Sequence, residues 1–120
     1  MRTADIMWLI VAFDLPTTTD LEKRAHTRFR NQLLRLGFTR LQWSVYARAY
    51  VREKTTAADR NSIVGSVPPG GRVRILSVTD MQFEHMMCID GIIQRQPERA
   101  IGGTLPTMLF RSAAVVFSRT

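Results

Sequence analysis

At 120 residues the chain is one domain by length, and a chain of this size takes about two-thirds of its unfolded surface out of water. A hydrophobic fraction of 45% and a charged fraction of 22% exclude a disordered class, and no apolar run approaches the length of a membrane span. The net charge of +7 sits in one half, because from Glu22 to Arg60 ten Lys or Arg face three acids; such an excess marks either a polyanionic partner, most often nucleic acid, or a solvated face.

The lead Met1 to Met7, MRTADIM, carries an acid where a signal peptide has its apolar centre, so secretion is not expected. Trp8 to Phe13, WLIVAF, is a continuous run of β formers and predicts a central strand covered on both faces. It runs directly into a carboxylate, Asp14, and Leu15-Pro16 stops it. Thr19-Asp20-Leu21-Glu22 has the spacing at which a threonine hydroxyl and a glutamate satisfy each other's free backbone donors, so a helix begins there. Leu21, Ala25, Phe29, Leu33 and Leu36 recur at helical spacing as one apolar stripe, and Gly37 is placed to end the helix. At about 100° per residue, Arg24, Arg28 and Arg35 form one basic border of that stripe and Lys23 and Arg30 the other.

Beyond Gly37, FTRLQWSVYARAYV alternates and is dense in aromatic and β-branched residues, which predicts two strands around a tight bend at Gln42 to Val45. Thr55 to Val64 reads as a helix, PPGG at Pro68 to Gly71 as a turn, and Arg72 to Val78 as a strand. The order β, α, β, β, α, β predicts an α+β, ferredoxin-like βαββαβ sandwich: one domain, an antiparallel sheet, and helices on one face. Met81 to Ile93 reads as a short helix and Thr107 to Phe110 as a small strand. Cys88 is the single cysteine, which excludes an internal disulfide and fits a reducing cytoplasm.

Three stretches, WLIVAFDLPTTT, FRNQLLRLGFTRLQWSVY and GRVRILSVTDMQF, stand in an order and at distances that resemble the type II form of Cas2, the small CRISPR-associated proteins of spacer acquisition. The likeness covers Trp8 to Phe83, agrees more weakly at TMLF within the C-terminal segment 84–110, and leaves the tail 111–120 unmatched. It implies a ferredoxin-like homodimer whose first strand ends in a metal-binding aspartate, here Asp14. It also implies partnership with the CRISPR integrase Cas1 during capture of duplex DNA fragments. Gln42, Ser44 and Tyr46 fall in the family's turn motif, and the resemblance puts them near the Asp14 end of the first strand, where they orient substrate or water.

The residues themselves carry each role alongside a plainer one. Mg²⁺ takes oxygen ligands and keeps several waters, so one or two carboxylates suffice for it, and a two-fold axis near Asp14 would bring two together for phosphodiester cleavage. Asp14 equally serves an Asx turn before Leu15-Pro16. Gln42 and Ser44 are the remaining catalytic candidates, and both are also ordinary hydrogen-bonding residues of a tight bend. Trp43 and Tyr46 are expected in the core or an interface rather than as platforms for stacked bases. Arg24 and Arg28, one turn apart, match successive phosphates on a duplex backbone, and Arg30 and Lys23 are further nucleic-acid-binding candidates; the competing use is pairing with Asp20 or Glu22 along the helix. His85 and Cys88 have the spacing of two zinc ligands with no second pair to complete a site.

Three functions follow. The first is a dimeric adaptor in spacer acquisition, bridging integrase subunits and holding DNA by its backbone. The second is a metal-dependent endonuclease acting on RNA or DNA through paired Asp14 carboxylates. The third, a sequence-reading RNA module on a similar fold, lacks the aromatic strand signature such modules use.

Overall fold

The computed structural model describes residues 5–51 and 56–100; the expectations for Met1 to Ala4, Thr55, the strand at Thr107 to Phe110 and the tail 111–120 lie outside the described residues. In chain order the elements are β1 (Ile6–Asp14), α1 (Asp20–Arg35), β2 (Thr39–Gln42), β3 (Val45–Val51), α2 (Ala57–Val64) and β4 (Arg72–Thr79). The short elements α3 (Asp80–Glu84), β5 (Cys88–Asp90) and β6 (Ile93–Arg95) follow. The first four strands form one sheet in the order β2-β3-β1-β4 with every neighbouring pair antiparallel, which is the ferredoxin-like arrangement the element order predicts.

Each α1 terminus is fixed by the residues that announce it. The Thr19 hydroxyl accepts from the Glu22 amide at 3.1 Å, and the Glu22 carboxylate accepts from the Thr18 and Thr19 amides at 2.9 and 3.0 Å. At the other end Gly37 takes φ +93°, and the Gly37 and Phe38 amides donate to the Leu34 and Leu33 carbonyls, both at 3.0 Å. That pattern closes a helix through a left-handed glycine. The apolar stripe is shorter than its spacing predicts, since Phe29 and Leu33 are buried whereas Leu21 is 65% exposed. Leu21 precedes Phe29 by eight residues, about 12 Å of helix, so the first turn lies beyond the core.

Alternation along β1 divides the molecule into two faces. Leu9, Val11 and Phe13 point toward α1 and α2 and pack with Phe29, Leu33, Tyr46, Tyr50 and Ile63. Ile6 and Trp8 point to the opposite face, where Trp8 stacks on Phe83 of α3 with ring centroids 3.9 Å apart and donates its indole N–H to buried Asp80 at 2.7 Å. Thus α1 and α2 share one face as expected, and the small α3 covers part of the other. Directly opposed residues of antiparallel strands share a face, so Ala47, Ile10 and Leu76 form one row on the α3 side, Val45, Ala12 and Arg74 the next, and Asp14 with Arg72 the last. Phe83 sits over Trp8, in a cluster that extends to Ala47 and Ile10 but not to Leu76, which is 59% exposed.

The segment after α3 departs from the helix expected over Met81 to Ile93. The helix stops at Glu84, capped by a Thr79–Gln82 box, and β5 and β6 form a hairpin. Gly91, with φ +67°, stands first of the two turn residues between Asp90 and Ile93, where a hairpin of this length favours glycine. That local turn chemistry overrides a helical reading of a sequence rich in Met and Ile. No helix among the described residues is long and apolar enough to cross a membrane.

Candidate nucleic-acid and metal site

The β1–α1 connection puts a carboxylate beside basic residues. β1 emerges from the sheet at Asp14, which is exposed, and Phe13 just before it contacts both Phe29 and His26 of α1, at ring-centroid distances of 5.0 and 5.9 Å. The first two turns of α1 therefore pass over this end of the sheet. The β2–β3 hairpin closes the same end, because the Phe13 amide donates to the Ser44 carbonyl at 3.0 Å.

Between these pieces lies an open cleft of about 500 Å³. Asp14 lines it from the end of β1, Lys23 and Arg30 from α1, and Trp43 and Ser44 from the hairpin turn. His26 and Thr27 share the same helix face one turn from Lys23 and Arg30. A shallower depression lies on α1 among Lys23, Arg24, Thr27 and Arg28.

Of the sequence candidates, Asp14, Ser44, Lys23 and Arg30 meet in the cleft. Arg24 and Arg28 stand together with Lys23 on the neighbouring surface. Gln42 ends β2, exposed and paired in register with Val45, and is not among the residues that line the cleft. The competing use for Arg24 and Arg28 does not occur among the described residues: the Glu22 carboxylate serves the helix cap, and the ion pairs are Arg48–Asp59, Arg95–Asp90 and Arg95–Glu98. Tyr46 is in the core as expected, but Trp43 is 69% exposed, at the tip of the two-residue turn, where it has no neighbouring strand to pack against. Sequence reading missed His26, although its spacing from Lys23 and Arg30 was available on the helix.

No group of three or more His, Cys, Asp or Glu side chains converges among the described residues. Asp14 offers one exposed carboxylate per chain, which suits a hard, water-retaining ion only when a second copy contributes its own. The two-residue zinc pattern leads elsewhere: His85 caps α3 with Nδ1 2.7 Å from the Met81 carbonyl, and Cys88 is a strand residue whose thiol burial pushes above its ordinary pKa.

Comparison with known proteins shows the family. The sequence pattern of the family described as CRISPR associated protein Cas2 matches residues 7–86. A protein of Parvibaculum lavamentivorans named CRISPR-associated endoribonuclease Cas2 is 41% identical over 91 residues, 76% of this chain and 89% of the relative. One of the same name from Paracidovorax avenae is 36% identical over 95 residues, 79% of this chain and 88% of its own length. A third, from Lacticaseibacillus rhamnosus, is 39% identical over 80 residues, 67% of this chain and 79% of the relative.

Proposed function

Since the chain belongs to the CRISPR-associated Cas2 family, we propose that it works as a homodimeric adaptor of spacer acquisition, bridging subunits of the integrase Cas1 and holding a duplex DNA fragment by its backbone. The observation that carries this reading is a second basic surface beside the cleft. Arg24 and Arg28 stand in a depression on α1 that Asp14 does not line, joined to the cleft by Lys23, and guanidinium groups one helical turn apart bind phosphates without reading sequence. The half-covered sheet face supports the dimer, because Ala12 and Leu76 are apolar and, among the described residues, lie outside the cluster that Phe83 makes with Trp8.

A second reading, phosphodiester cleavage, is favoured by the cleft itself. Two Asp14 carboxylates facing each other across a dimer axis would hold Mg²⁺, which when bound supplies polarisation of a phosphate oxygen and a more acidic water. Lys23 and Arg30 would hold and orient that phosphate beside them, and Ser44 would offer a hydroxyl to the scissile group. The relatives are named endoribonucleases, which is a property stated of them.

Asp14→Asn separates the two readings, since the amide keeps the shape but withholds the charge. An adaptor with this substitution still dimerises, binds duplex DNA and supports acquisition with its integrase, while any Mg²⁺-dependent cleavage falls to background. A folded, dimeric Asp14→Asn protein that fails in an acquisition assay would place the carboxylate at the centre of the function.

A further inference from the structure

Arg72 has no use in either reading above. β4 brings it level with Asp14: the two residues are register partners on antiparallel strands, so their side chains leave the same face of the sheet. Directly opposed residues of this kind have Cβ atoms about 4.5–5.5 Å apart, within the reach of an arginine. Both side chains are exposed, and the ion pairs among the described residues, Arg48–Asp59, Arg95–Asp90 and Arg95–Glu98, include neither. Along β1 and β4 this face carries one acid, Asp14, and two bases, Arg72 opposite it and Arg74 one row inward beside Ala12. Lys23 and Arg30 also stand near Asp14, but they belong to α1 and not to the sheet face that a second copy would meet.

We infer that Arg72 takes the place of a cation at the dimer axis: it forks between its own Asp14 and the partner's Asp14, so that two copies join face to face without a divalent ion. The inference rests on the homodimer reading, with the two Asp14 residues facing each other across its axis, and names what makes that contact tolerable. Two carboxylates brought together repel unless one takes up a proton or a positive charge enters. The charges of two Asp14 and two Arg72 cancel, whereas the carboxylates alone would be left uncompensated in an interface. A guanidinium presents five N–H donors in a planar fork, enough for a carboxylate on either side, and does not lose its charge in proteins. Because Arg72 is paired with no acid among the described residues, no ion pair has to break for it to turn toward the second carboxylate. A divalent ion at the axis has to displace the guanidinium, which makes Arg72 a positioning residue for any metal chemistry there.

Sedimentation of the full chain at low ionic strength, across a dilution series, tests this with EDTA or Mg²⁺ present. Wild type dimerises with the same dissociation constant in both. Arg72→Gln raises that constant about tenfold or more in EDTA, and Mg²⁺ restores it because the ion supplies the missing charge. The double variant Asp14→Asn/Arg72→Gln dimerises alike in both, since the carboxylates are gone, and Arg72→Lys stays close to wild type. Arg74→Gln, one row away, keeps a dimer indifferent to EDTA.

Other results would overturn the inference. Arg72→Gln that dimerises like the wild type in EDTA would leave Arg72 a solvated residue. Arg72→Gln weakened alike with and without Mg²⁺, or a double variant as weak as Arg72→Gln, would make Arg72 a packing residue only. Dependence on Mg²⁺ in Arg74→Gln instead would move the role to Arg74. Wild type that dissociates in EDTA would put a metal ion, not a guanidinium, between the carboxylates. Wild type that is monomeric throughout removes this inference together with the homodimer reading, whereas a wild-type dimer indifferent to Arg72 removes this inference alone.

Discussion

Both tyrosines of the chain, Tyr46 and Tyr50, sit on the helix-covered side of β3, and burial pushes both phenols above their ordinary value of 10.0. For Tyr46 the nearby Arg30 and Arg40 charges oppose the shift; for Tyr50 the Asp59 carboxylate, which accepts its O–H at 2.6 Å, reinforces burial and Arg48 opposes it. A raised folded-state pKa means that the native protein keeps protons the unfolded chain would give up. The stability these phenols contribute is therefore whole below pH 10.0 and lost as the pH climbs from there through the folded values. Phenolate absorbance should stay low past pH 10.0 and then rise together with loss of circular dichroism, and Tyr50→Phe should move that transition upward. At this scale the sequence was readable where a residue's role is set by its immediate neighbours. Asp14 ends a run of β formers, so its place at a strand end followed from periodicity alone. The bend at Gln42 to Val45 was also readable, but the exposure of Trp43 was not, because the bulk that suggests a core residue says nothing of a turn tip with no strand beside it.

Helix α1 was legible almost to the residue because its signals are local hydrogen bonds: the Thr19–Glu22 box at one end and Gly37 at the other. The glycine carries a second constraint. A Cβ at position 37 would stand 3.3 Å from the Arg48 Nε, and that guanidinium also donates to the Leu36 carbonyl and to Asp59 of α2. Gly37→Ala should therefore destabilise the protein by about 1–2 kcal/mol from the left-handed backbone alone, with displacement of Arg48 adding to it. Urea unfolding measures the total, and Gly65→Ala, at a helix end with ordinary φ, is the control. The hairpin β5–β6 was not legible, since each strand is three residues long and periodicity needs a longer window. Nor was the position of α3: it depends on Trp8 finding Asp80 and Phe83, a contact spanning 72 residues for the hydrogen bond and invisible to any local pattern.

For the molecule as a whole, the uneven roof over the sheet is the feature with most bearing on assembly. Leu76, in the row with Ile10 and Ala47, is the most exposed apolar residue on β4 and belongs to neither core cluster among the described residues. Leu76→Glu should leave thermal stability nearly unchanged and raise the dimer dissociation constant about thirtyfold or more, as for loss of a central interface anchor. Sedimentation across a concentration series reads this directly, and an unaffected dimer would move the interface to another surface. The register of β1 has a consequence for how such a protein can change over time. Trp8 and Asp14 are six residues apart, an even number, so the side chain locked under α3 and the carboxylate at the strand end emerge on the same face. Inserting or deleting one residue between them would keep Trp8 in place and bring the carboxylate out on the opposite side of the strand. The length of this strand between residues 8 and 14 is thus free to drift only in steps of two.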